Sequence, residues 1–118
     1  MGGILVVEAD PSVCALLVAL LDGRPGGVTG RADSTAALAL LREGARFDLV
    51  LSDDPEVLRA VRESSPGAAT VLTAAAGLPE EEADAVLPRP FGIEGFRQTV
   101  EKAESLSRAR RAALDPRS

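Results

Sequence analysis

Four short stretches of this chain carry side chains that could do chemistry, and each adjoins an apolar run. "ILVVEAD" (4–10) ends on Glu8 and Asp10 with Ala9 between them, and "FDLVLSDDP" (47–55) brings Ser52, Asp53 and Asp54. "ATVLT" (69–73) ends on Thr73, and "LPRPF" (87–91) sets Arg89 directly before Pro90. Carboxylates delivered to the ends of short apolar runs suit a hard cation or phosphate chemistry, since both need charged oxygens fixed in place. Ala9 can supply neither, so the first acid group has a gap in its middle.

Several other chemistries are excluded. The chain has no histidine and one cysteine, Cys14, which rules out Ser-His-Asp and Cys-His catalysis, imidazole-bound zinc and an internal disulfide. A net charge of −5 makes it a poor nucleic-acid binder, because phosphate contact needs clustered positive charge. The apolar runs are strand-sized, so no membrane span is expected. The first seven residues lack the basic start and small-residue cleavage site of a secretory leader, so the cytoplasm is the expected compartment. At 118 residues and 46% hydrophobic, the chain is expected to be one domain, 1–118, with one sizeable core.

The elements that must position these residues alternate strand and helix. The run 4–7 is continuously apolar, as in a strand covered on both faces. Asp10-Pro11 then opens a helix with an N-cap acid and proline at the first position. Val13, Leu16, Leu17, Leu20 and Leu21 form its apolar stripe. A weak strand at 28–31 leads to Ser34, a candidate cap for a helix carrying Ala37, Leu38 and Leu41. The second strong strand, 47–55, again ends in acids, and Asp54-Pro55, read as another cap, leads into a short helix over 55–64 with Val57, Leu58 and Val61 inward. A strand at 69–73, a loop, at most a short acidic helix at 79–84 and a short strand at 85–87 follow. The last helix starts near Ile93 and packs Ile93, Phe96, Val100 and Ala103. Its basic C-terminal tail, 107–118 with Arg108, Arg110, Arg111 and Arg117, reads as a solvated helix end favoured by the helix dipole, in preference to a nucleic-acid contact. This alternation predicts a parallel sheet with helices on both faces. The functional crevice of such a sheet lies outside the C-terminal ends of its strands, where the four chemical stretches converge.

At this point the residues resemble a known family, the CheY-like receiver domain of bacterial response regulators, over residues 3 to about 106. "ILVVEADP" is similar to that family's ILVVEDDP opening, and "FDLVLSD" to the strand ending in its phosphoacceptor aspartate. "VLTA" resembles the segment with the switch hydroxyl, and "LPRPF" stands where the family has a lysine before a cis-proline. The resemblance implies a flavodoxin-like (βα)5 fold with strand order 2-1-3-4-5. It places the phosphoacceptor at Asp53, the phosphate-site residues at Thr73 and Arg89, the metal acids at Glu8 and Asp53, and a cis bond before Pro90. It also implies Mg²⁺, which would neutralise charge on the transferring phosphoryl group.

The departures from the family pattern bear on function. Ala9 replaces the second metal acid, so any Mg²⁺ is expected to bind weakly. The loop after Asp53 is shortened, and so is the segment from Thr73 to Arg89. Val86 stands at the position of the switch aromatic, and the chain has no tyrosine or tryptophan. Arg89 for lysine is not an equivalent exchange at a tight phosphate site. Cys14 reads as a small core residue. The leading expectation is a pseudo-receiver, a phosphorylation-independent interaction module and not an enzyme. Its partners would be signalling proteins, a histidine kinase or an output partner. A homodimer would form through the face around 79–103, which the family uses for docking. A second reading is a phospho-accepting receiver using Asp53 with a weakened Mg²⁺ site. A third, a small flavodoxin-like enzyme or nucleotide binder, lacks a glycine-rich loop after the first strand.

Overall fold

In the computed structural model the chain is described over residues 3–74, 83–88 and 91–114. The elements run β1 (Gly3–Val7), α1 (Pro11–Leu21), β2 (Val28–Arg31), α2 (Ser34–Arg42), β3 (Phe47–Ser52), α3 (Pro55–Ser64), β4 (Ala69–Ala74), β5 (Ala85–Pro88) and α4 (Ile93–Leu114). The five strands form one sheet in the order β2-β1-β3-β4-β5, every neighbouring pair parallel. This is the flavodoxin-like order expected from the sequence. The expected fourth helix, within 79–84, falls mostly outside the described residues.

Strand alternation sorts the core into two layers. Ile4, Val6, Leu49, Leu51, Val71 and Leu87 face Leu17 and Leu21 of α1 and Phe96, Val100 and Ala103 of α4. Leu5, Val7, Val50 and Leu72 face Ala37 of α2 and Val57, Leu58 and Val61 of α3. β1 is apolar from Ile4 to Val7 and β3 from Leu49 to Leu51, because both faces of these stretches are covered. Half-buried Val86 packs against the second layer. At the foot of β1, a Cβ on Gly3 would collide with the backbone carbonyl oxygens of Gly26 and Gly27, so only glycine admits that loop.

Four local expectations are corrected. The cap of α2 is Asp33, whose carboxylate accepts from the Thr35 amide at 2.9 Å, and Ser34 is already the first helical residue. In α1 the buried line runs through Leu17 and Leu21, flanked by Val13, Cys14, Val18 and Leu20, which leaves Leu16 48% exposed. In α4 the buried stripe begins at Phe96 and continues through Val100, Ala103 and Ser107, so Ile93 in the first turn stands in solvent.

The fourth correction concerns the basic end. The stretch from 107 is a helix end, as expected, with α4 running to Leu114, but it is not simply solvated: its side chains close on the turn before β4. Ser107 Oγ donates to the Gly67 carbonyl, Arg110 to the carbonyls of Pro66 and Ala68, and Arg111 Nε to Gly67 at 3.0 Å. Three successive carbonyls that no helix or strand satisfies thus receive donors from one helix, which meets the backbone's hydrogen-bonding demand there. Arg110 also reaches Asp84, at the start of β5.

Candidate functional site

β1 and β3 are adjacent and central, and their register sets Val7 beside Ser52. The next residues on each strand, Glu8 and Asp53, therefore leave the sheet side by side. The strand pairing continues one step further through the backbone, with Asp53 N–H donating to the Val7 carbonyl at 3.1 Å and Glu8 N–H to that of Arg31 at 3.0 Å. A side chain then takes over: Asp53 Oδ2 accepts the Ala9 amide at 3.2 Å. Asp53 remains half-buried, open on one side to solvent.

Glu8 is enclosed. Only 1% of it is exposed, and its Oε2 accepts the hydroxyl of Thr73, itself fully buried, at 3.1 Å. Asp10 N–H approaches Glu8 Oε1 at 3.4 Å, a long and weak contact. Glu8 is therefore not a solvated strand-end acid. Burial of a carboxylate requires donors aimed at it, and the Thr73 hydroxyl is one.

The remaining acids on this rim serve the helices that follow. Asp10 caps α1, accepting from Ser12 N–H at 2.9 Å and Val13 N–H at 3.4 Å, and Pro11 occupies the first turn. Asp54 caps α3, accepting from Glu56 N–H at 2.9 Å, again with proline following. Both were legible as caps from Asp-Pro. Ser52, expected on the rim, is buried and has a local role that the sequence reading missed: its Oγ accepts the Asp54 amide at 3.0 Å, which turns the chain sharply from β3 into α3. The signal was the Ser-x-Asp spacing, since a serine hydroxyl readily bonds the backbone two residues on.

Cys14 lies near this rim, half-buried against the α1–α4 layer as expected of a small core residue. Burial pushes its thiol above the usual cysteine range, the Glu8 charge adds to the rise, and a hydrogen bond with the Arg31 backbone opposes it.

The donor set does not fit a complete magnesium pocket. Glu8 and Asp53 converge, Ala9 has no oxygen to give, and Asp10 and Asp54 are turned to helix amides. Among the described residues, no three acidic or cysteine side chains gather closely enough to hold a metal. Arg89 and Pro90 lie outside the described residues, as do the expected approach of Arg89 to Asp53 and the expected cis bond.

No protein-family model and no curated protein matches the sequence. Solved structures do match. The chain is similar to the signal receiver domain of an HD domain-containing protein from Pseudomonas fluorescens, with a TM-score of 0.78, 22% identity and coverage of 94% of this chain and 92% of that one. A response regulator receiver protein from Sinorhizobium medicae aligns with a TM-score of 0.76 and 20% identity over 90% of this chain and 96% of its own. The chemotaxis response regulator CheY4 of Vibrio cholerae gives 0.72 and 24% over 87% and 98%. At such identities the likeness concerns the fold, and it extends over nearly the whole of each partner. Together with the 2-1-3-4-5 sheet and the acids at the ends of β1 and β3, it establishes that this chain has the receiver-domain fold of two-component response regulators.

Proposed function

We propose that this chain is a pseudo-receiver: a protein-interaction module of a bacterial two-component signalling system that acts without phosphorylation and is not an enzyme. The observation that carries this reading is how the acids around Asp53 are used. A receiver that accepts phosphate needs spare carboxylate oxygens for a divalent cation. Here Ala9 has none, while Asp10 and Asp54 accept from helix amides. Val86 supports the same conclusion, because a valine has no ring to swing between a buried and an exposed position. Its partners are signalling proteins, a histidine kinase or an output protein, met on the face that includes β5 and the exposed side of α4. A homodimer through that face belongs to the same proposal.

The partial exposure of half-buried Asp53 favours a second reading, a phospho-accepting receiver with a weakened Mg²⁺ site. Mutation separates the two. Asp53→Asn is expected to leave partner binding and cellular function largely intact, and Arg97→Glu on exposed α4 surface to impair both. Acetyl phosphate or beryllofluoride is expected to leave the amide spectrum as it is with the same Mg²⁺ alone. Loss of function in a folded Asp53→Asn protein would install the second reading.

A further inference from the structure

We propose that Glu8 acts as the fixed acceptor of Thr73, an internal tie that holds the end of β4 in one state whatever occurs at Asp53. The proposal rests on the phosphorylation-independent reading and deepens it by naming the device that sets the state.

β1 and β4 are not neighbours, since β3 lies between them. Two strand spacings amount to roughly 10 Å. The Glu8 side chain crosses that gap over the end of β3, where Asp53 begins, and ends on Thr73 Oγ1 at 3.1 Å. Both ends of the tie are dry, 1% and 0% exposed. A threonine hydroxyl carries a single proton to donate. Thr73 gives it to Glu8, so the same hydroxyl has nothing left to donate to a phosphoryl oxygen on Asp53.

The exchange that phosphorylation would require is nearly balanced. Thr73 would leave one charged oxygen for another, and both bonds are charge-assisted. The abandoned Glu8 carboxylate would then stay buried with one donor fewer, which is costly unless a cation replaces it. Ala9 offers no second acid to help recruit that cation. A ligand shifts a conformational equilibrium only through its differential affinity for the two states. With the Thr73 proton already committed, phosphate at Asp53 has little differential affinity to contribute.

The tie is tested on the full chain with Mg²⁺ itself as the probe, followed through amide shifts of residues 8, 53 and 73. Thr73→Val keeps the branched shape and removes this donor from Glu8 Oε2. Mg²⁺ should then bind about tenfold more tightly than to the wild type, the change expected when one hydrogen bond to a charged group no longer competes. Thr73→Ser restores the donor and should return the affinity to the wild-type value, which a merely space-filling role for Thr73 would not predict. A folded Thr73→Val protein with unchanged Mg²⁺ affinity overturns the proposal. If Thr73→Val does not fold, the Thr73 hydroxyl proton of the wild type decides: slow exchange with solvent supports the tie, and fast exchange overturns it. Failure of the underlying reading is separate, because it appears as loss of partner binding in Asp53→Asn.

Discussion

Arg110 and Asp84 form a two-pronged ion pair, Nη1 to Oδ1 at 2.8 Å and Nη2 to Oδ2 at 3.0 Å, at the end of the sheet opposite the acid rim. Asp84 Oδ2 also accepts the Thr70 amide at 3.0 Å, and the Asp84 amide donates to Thr70 Oγ1 at 3.0 Å. One guanidinium therefore joins α4, the start of β5 and the turn into β4.

Arg110→Ala should destabilise the fold by about 1–3 kcal/mol in urea unfolding. It removes several hydrogen bonds to charged or carbonyl oxygens, discounted because the arginine side chain is one-third exposed. Arg110→Lys should recover little, since an ammonium cannot reproduce the fork. A lysine variant of wild-type stability would mean that charge alone, without the fork geometry, holds this end.

The two Asp-Pro caps should behave as structural elements. Asp10→Ala and Asp54→Ala should each lower stability by about 1 kcal/mol, the usual cost of losing an N-cap acceptor. Neither should weaken Mg²⁺ binding. A drop in metal affinity on either substitution would move that acid from the cap into the metal site.

Leu58 is fully buried beneath β3 and β4. Leu58→Ala should cost about 2–5 kcal/mol, the transfer term plus the cavity left behind. Leu16→Ala, on exposed surface of the facing layer's helix, should cost far less. Denaturation midpoints of the two variants compare them directly.

Cys14 provides the alkaline pH dependence. Its folded thiol holds the proton more tightly than the unfolded one, whose value is about 8.5. Above that pH and up to the raised folded value, the native state binds more protons, so stability falls as pH rises. Below about 8.5 the contribution is fully present. Cys14→Ala should flatten this alkaline slope, and iodoacetamide at mildly alkaline pH should label the folded chain more slowly than the unfolded one. Equal labelling rates would contradict the shift.

Ala9→Asp should tighten Mg²⁺ binding, because it restores a hard oxygen beside Asp53. The wild type should saturate only at high metal concentration. Saturation below the millimolar range would show that Asp10 or Asp54 leaves its cap to bind metal.

Much of the frame is visible in local pattern. The unbroken apolar runs of β1 and β3 announce two covered faces, and Asp10-Pro11 and Asp54-Pro55 announce helix starts, because those signals lie within a few residues of the structure they specify. The burial of Glu8 is not local. Its partner Thr73 is 65 residues away, and only the strand order brings the two together. Arg110 fails to declare itself for the same reason. Its acceptors are the carbonyls of Pro66 and Ala68 and the carboxylate of Asp84, and in sequence it is one arginine among several on a helix end. Leu16 and Ile93 misled in the other direction: each has the hydrophobicity of a core position but sits just off the line that the sheet covers.

Ala9 is exposed, and only its backbone amide takes part in the fold. The methyl group therefore carries almost none of the stability, and an aspartate there would meet water. In evolutionary terms, alanine and aspartate codons can differ by a single base, so the second acid could be lost or regained in one step without passing through an unstable protein. The Glu8–Thr73 tie has less freedom, because both of its members are buried and losing either polar group takes a hydrogen bond from the other. A lineage carrying this chain could therefore exchange the residue at position 9 far more easily than either member of the buried pair.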